Sequence, residues 1–162
     1  MHDAQSSLTA IYQGWQAYQT LLIAALRPLS SEQLTLRLVP TLRSIGENTA
    51  HIIGARAGWF YNLMGEGGEA FADMDTWDRS DAPSRSAAEL VSGLEATWQG
   101  MHQAIARWSP ADWQHTYPGK HPGDPAVLTR QWVIWHLIEH DLHHGGEISL
   151  TLGAHGLKAP DL

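Results

Sequence analysis

Histidines and carboxylates are concentrated near the C-terminal end of the chain, between His136 and Glu147. This stretch of twelve residues contains four histidines and three carboxylates. The pairs His136/His140 and His140/His144 are each spaced i, i+4, which places both side chains on one face of a helix with Cβ atoms about 5–6 Å apart. That geometry suits two nitrogen ligands at about 2.0–2.1 Å from one metal ion. The pattern predicts a metal site and leaves open which pair binds.

A further candidate ligand, His51, lies far upstream in a segment rich in Ile, Trp and Phe. A lone histidine on an apolar helix face is often a hydrogen-bonded core residue, so His51 by itself has two interpretations. In a helix bundle, however, metal sites are assembled from side chains on facing helices. Glu139 and Glu147 are candidates for accepting a hydrogen bond from a ligand imidazole, and a solvated helix face is their alternative. We expect Asp141 to be exposed.

Two of the eight tryptophans stand at helical spacing from the candidate ligands. Trp59 follows His51 by eight residues, and Trp132 precedes His140 by eight. Both are core candidates, but an aromatic lining beside a polar centre is also typical of a small-molecule pocket. Gly145-Gly146 lies inside the same helical segment, where each glycine weakens a helix by about 1 kcal/mol relative to alanine. We expect close approach of another backbone there, from a neighbouring helix or a partner subunit.

Apolar residues recur at spacings of three and four in four long segments, which predicts four amphipathic helices. The predicted helices cover residues 7–26, 44–64, 86–108 and 129–152, with Gly153 as the last helix's C-terminal cap. Ser44/Glu47 and Ser86/Glu89 fit the capping box that begins a helix. Two long connections remain: residues 65–85, without regular structure, and residues 111–128, with room for a small hairpin. The pattern predicts an all-α four-helix bundle forming a single domain over residues 1–162.

Composition excludes several classes of function. The chain has no cysteine, which leaves histidine and carboxylate as its strong metal ligands. A formal net charge of −7 repels a phosphate backbone, so we expect no nucleic acid partner. No apolar run approaches the ~20 residues of a membrane span, and the N-terminus lacks the basic and apolar regions of a signal peptide. We therefore expect a cytoplasmic protein that does not bind membranes.

Two segments resemble the DinB-like, or YfiT-like, superfamily of metal-dependent enzymes. The first is Arg43-Ser-Ile-Gly-Glu47 leading to His51. The second runs from Trp135 through His140 and His144 to Ser149. The resemblance extends to the chain length and the placing of the helices. It implies a four-helix bundle of up-down-down-up topology with two long connections. It also implies that His51, His140 and His144 bind the metal, which resolves the choice between the two pairs.

The resemblance further implies a divalent metal ion, Zn or Ni, with Fe and Mn as alternatives. Members of known activity transfer or isomerise small molecules with a low-molecular-weight thiol, so the implied reaction is thiol transfer to an electrophile. His136 is the best-placed candidate for a general base, and Glu147, Trp59 and Trp132 are candidates for supporting or pocket residues. Family likeness also implies a homodimer. The alternative is a non-catalytic metal-binding or interaction bundle. Many members have Arg-Gly-Gln after the last ligand, where this chain has Gly145-Gly146-Glu147.

Overall fold

Helices dominate the chain in the computed structural model, which describes residues 2–119 and 123–161. The helices are α1 (His2–Leu26), α2 (Ser31–Leu34), α3 (Ile45–Gly58), α4 (Gly68–Met74), α5 (Ala87–Arg107), α6 (Pro110–Trp113) and α7 (Arg130–Ala154). A π-helical segment, Trp59–Leu63, continues α3. The all-α prediction is confirmed, and the four longest helical stretches correspond to the four predicted helices. No helix of the described residues is long and apolar enough to cross a bilayer.

Local sequence signals explain where the long helices begin. The Ser44 hydroxyl accepts from the Glu47 N–H, and the Glu47 carboxylate accepts from the Ser44 N–H at 2.8 Å, so α3 begins with a capping box. Ser86 and Glu89 form the same motif at the start of α5. Both predicted helix starts are therefore confirmed.

The connections contain more structure than the sequence pattern predicts. The first connection was expected to be irregular, but it contains α4, whose Phe71 and Met74 are buried in the core. The second contains the small hairpin, with β1 (Thr116–Pro118) antiparallel to β2 (Val127–Thr129). The predicted end of the last helix is wrong, because α7 continues through Gly153 to Ala154. The left-handed glycine that follows it is Gly156, at φ 69°.

A buried polar network lies at the centre of the helices. The Arg56 Nη2 atom is 2.6 Å from the Asp141 carboxylate, and the two side chains are 1% and 0% exposed. The Trp15 indole donates to the same carboxylate at 2.6 Å, and Gln19 accepts from Arg56 at 2.8 Å. These bonds connect α1, α3 and α7. The expectation that Asp141 is exposed is wrong, because its charge is compensated by an arginine on another helix.

The two adjacent glycines of α7 have different environments. A Cβ atom at Gly145 would overlap the hydroxyl of Tyr18 on α1, whereas one at Gly146 would meet no described atom within 4 Å. A close approach therefore occurs at Gly145 alone, and the prediction that another backbone causes it is wrong. Its neighbour is a side chain of an adjacent helix rather than a backbone.

Candidate metal centre

Three histidines meet between α3 and α7, which pack against each other. His51 lies on α3, while His140 and His144 lie one turn apart on α7. The ring centroids are 4.8 Å apart for His51 and His140, 4.6 Å for His51 and His144, and 4.5 Å for His140 and His144. One nitrogen from each ring lies within 4.8 Å of the other two. The structure thus brings together the three histidines that the family resemblance selects.

Carboxylates hold two of these rings at their Nδ1 atoms. The Asp78 Oδ2 atom is 2.9 Å from His51 Nδ1, and the Glu147 Oε2 atom is 2.8 Å from His144 Nδ1. A carboxylate at Nδ1 favours the tautomer with its proton there, and the Nε2 lone pair is then free for a metal. The His51 Nε2 atom indeed faces His140 Nε2 at 3.1 Å. Of the two candidate acceptors, Glu147 contacts a ring of the group of three, whereas Glu139 contacts His136.

Sequence reasoning did not find Asp78. It lies 27 residues after His51, in the connection between α4 and α5, where no periodicity relates it to the histidines. One signal was present in Gly54 of α3, where an added Cβ would lie 3.0 Å from the Asp78 Cγ atom. A glycine inside a helix suggests that another segment approaches closely, but it does not say which segment.

Burial favours the neutral form of His140 and His144. Burial lowers the pKa of His140 to about 2, assisted by the neighbouring His144 and His51. Burial also lowers the pKa of His144, although its hydrogen bond with Glu147 opposes the shift. The His140 Nδ1 atom is buried and has no hydrogen-bond partner among the described residues. Neutral imidazole is the form that binds metal, so His140 and His144 can bind a cation without losing protons from charged rings.

The supporting carboxylates are held in their charged form. The hydrogen bond with His51 lowers the pKa of Asp78 against the effect of burial, and the charge of Arg43 contributes to the shift. Burial by itself raises the pKa of Glu147. The hydrogen bond with His144 and nearby charges, including Arg43, outweigh this effect and lower the pKa below its usual value. Arg43 therefore lies close enough to act electrostatically on both carboxylates.

The remaining predicted site residues lie beside the three histidines. His136 stacks on Trp132, with ring centroids 5.1 Å apart and an interplanar angle of 7°, and its ring is 5.0 Å from that of Trp59. Its Nδ1 atom is 3.0 Å from the Glu139 carboxylate. The ring of His136 is 6.0 Å from that of His140. These aromatic rings form one wall next to the centre, and they lie outside the group of three.

The donor set fits a divalent cation. Four ligands placed tetrahedrally at about 2.0–2.1 Å from a metal lie about 3.3–3.4 Å from one another, close to the 3.1 Å between the Nε2 atoms of His51 and His140. A second group, His143, His144 and Glu147, also has metal-ligand spacing. Its His143 side chain is 68% exposed, and Glu147 already bonds to His144. The group that spans α3 and α7 is the better enclosed of the two.

Comparison with known proteins places this chain in a family. The family model of the DinB superfamily matches residues 14–148, a range that contains both histidine segments. The chain belongs to the DinB superfamily. A crystal structure of a DinB-like protein from Bacillus cereus ATCC 10987 is similar in fold, with a TM-score of 0.72 over 93% of this chain and 94% of that chain at 20% identity. Among curated proteins, no relative matches the chain.

Proposed function

We propose that this DinB-superfamily protein is a divalent-metal-dependent enzyme that transfers a low-molecular-weight thiol to an electrophilic small molecule. The observation that supports it most is the group of three histidines, in which two rings are oriented by carboxylates. His51, His140 and His144 would hold the ion, with Zn or Ni preferred and Fe or Mn as alternatives. Three protein ligands leave a coordination position open, as catalytic sites require.

The bound cation would supply Lewis acidity, which lowers the pKa of a thiol or water molecule that it binds. The surrounding residues would orient and enclose the reacting groups. Asp78 and Glu147 hold the rings of His51 and His144, while Trp59 and Trp132 provide an apolar wall. His136 is the proposed general base, since Glu139 holds its Nδ1 atom and orients the ring.

Metal analysis of protein purified without a histidine tag tests the binding step. We expect about one divalent ion per chain, on the basis of one enclosed three-histidine site. His51→Ala, His140→Ala and His144→Ala should each lose it, and His102→Ala, an exposed histidine of α5, should retain it. A wild-type protein without stoichiometric metal after loading and dialysis would contradict the proposal. Turnover is tested separately, by screening the loaded protein with small thiols and alkylating electrophiles.

The alternative is a metal site with a structural role. It is favoured by the position of the three histidines, because an ion there would cross-link α3 to α7. Metal bound only to the folded state stabilises it by RT ln(1 + [L]/Kd), or about 4 kcal/mol at a thousandfold excess over Kd. Chelation should then lower the melting temperature by many degrees, with no turnover in the loaded protein. In an enzyme, chelation should abolish turnover under conditions where the protein remains folded.

The helix arrangement belongs to the same proposal. We place α1, α3, α5 and α7 in an up-down-down-up bundle. The proposal is supported by the packing of α3 on α5 and α7, by the packing of α1 on α5, and by the buried Arg56–Asp141 network. The two long connections of the chain suit the crossovers that this topology needs.

A homodimer is also proposed, with the outer face of α7 as its interface. Trp135, Leu142 and Leu150 are 57%, 46% and 59% exposed on this helix, and Gly146 leaves open space between them. An apolar stripe of this kind marks an interaction surface in many soluble proteins. Light scattering coupled to size exclusion should give the mass of a dimer, and Trp135→Glu should give a monomer. A monomeric wild type would contradict this assignment.

A further inference from the structure

A cavity of about 730 Å³ is rich in arginine and has Asp78, the hydrogen-bond partner of His51, in its wall. It is bounded by α2, the turn before α3, the first turns of α3 and α5, and the segment from Trp77 to Ser86. Four arginines line it: Arg37, Arg43, Arg79 and Arg85. They are half of the eight arginines in a chain whose net charge is −7. Such a concentration of cations in one concave site needs a chemical explanation.

The carboxylates in the cavity wall already have partners. Glu47 pairs with Arg37 and caps α3. Asp78 bonds to His51, and Glu89 caps α5. The negative groups of the cavity wall are therefore already bonded to other groups of the protein.

Two of the arginines, in contrast, have no hydrogen-bond partner for their guanidinium groups among the described residues, although the charge of Arg43 acts on Asp78 and Glu147. In the described part of the chain, the Arg43 and Arg79 side chains form no hydrogen bond or ion pair within normal distance, and both are exposed. Arg85 lies over the Trp77 ring at 4.1 Å, and its buried Nε atom has no partner among the described residues. The hydrogen-bond donors that remain free in the cavity are therefore of the kind that binds an oxyanion.

The size of the cavity indicates the kind of anion. Pockets of about 300–1,000 Å³ are typical of sites for organic ligands, so the volume exceeds what an inorganic ion needs. A guanidinium group matches a carboxylate or phosphate with two parallel hydrogen bonds. Trp77 offers an apolar surface for the rest of such a molecule.

We propose that this cavity binds an organic anion through its carboxylate or phosphate group, with Arg43 and Arg79 as the recognition residues. Asp78 belongs both to the cavity wall and to the support of His51, so the cavity reaches a residue that orients one of the three histidines. The cavity would thus select anionic substrates for the metal centre. That role rests on the proposed function, whereas anion binding itself does not.

Calorimetric titration of the metal-free, untagged protein tests the binding. The probes are succinate and inorganic phosphate, with succinamide as an uncharged analogue of succinate. We expect saturable binding of at least one anion at millimolar or lower concentration and none of succinamide. Arg43→Gln and Arg79→Gln should each weaken the affinity about tenfold or more, the usual effect of losing a hydrogen bond to a charged group. Arg27→Gln, which changes an exposed arginine outside the cavity lining, should leave the affinity unchanged.

Three results would overturn the inference: no saturable binding of either anion, equal binding of succinamide, or an equal loss in Arg27→Gln. Circular dichroism melts show whether each variant is folded. If Arg43→Gln does not fold, Arg79→Gln still tests the inference. Because the titration uses no metal, its outcome is separate from that of the metal analysis. Anion binding without metal binding would contradict only the proposed function, and metal binding without anion binding only this inference.

Discussion

Replacing Asp78 with Asn tests whether an acceptor from a distant loop tunes the candidate metal centre. The Asp78 Oδ2 atom lies 2.9 Å from His51 Nδ1, and asparagine keeps the shape of the side chain but removes its charge. Loss of such a supporting partner lowers metal affinity by about 10–100-fold, which corresponds to about 1.4–2.7 kcal/mol. Because the Asp78 side chain is 32% exposed, water can replace part of the interaction. We therefore expect a loss near the lower limit, about tenfold.

Competition between the metal-free protein and a chromogenic chelator of known affinity measures this loss. Asp75→Asn is the matched control, since Asp75 lies in the same connection but its carboxylate accepts a hydrogen bond from Asn62 at 2.8 Å. Its metal affinity should equal that of the wild type. The reasoning is refuted if Asp78→Asn binds metal as tightly as the wild type, or if Asp75→Asn loses as much.

Three further predictions concern stability. Gly145→Ala should destabilise the protein by about 1–3 kcal/mol through overpacking against Tyr18, whereas Gly146→Ala should stabilise it by up to about 1 kcal/mol; denaturant melts that give equal effects would contradict the assigned packing. Asp141→Asn should lower the free energy of unfolding by about 3–5 kcal/mol, since it leaves the charge of a buried arginine unpaired. A melting temperature within about 2 °C of the wild type would contradict this. Burial lowers the pKa of His140 to about 2, below its unfolded value of about 6.5, so protons bind the unfolded chain first as the pH falls. His140 should therefore lower the unfolding free energy of the metal-free protein by about 1.4 kcal/mol per pH unit as the pH falls below about 6.5. Melts at about pH 7 and pH 5 should show a smaller loss of stability in His140→Ala than in the wild type.

Much of the local structure could be predicted because its causes are close together in the sequence. The capping boxes at Ser44 and Ser86 join residues three apart, and the i, i+4 spacing of His140 and His144 places them on one face of α7. The short helix α4 was missed, because it is stabilised by burial of Phe71 and Met74 rather than by a periodic pattern.

The sequence by itself determined the helical class, the starts of α3, α5 and α7 and a pair of histidines on α7 able to bind one metal ion. From the residues alone, two such pairs remained open, and the family resemblance chose between them. Only the tertiary structure placed Asp78 behind His51, paired Asp141 with Arg56, and gathered four arginines around one cavity. The first two contacts join residues 27 and 85 positions apart, and the four arginines come from separate segments of the chain, so all three features depend on how helices and connections pack. Periodicity shows which face of a helix is apolar, but it does not show which charged group on another segment will meet that face.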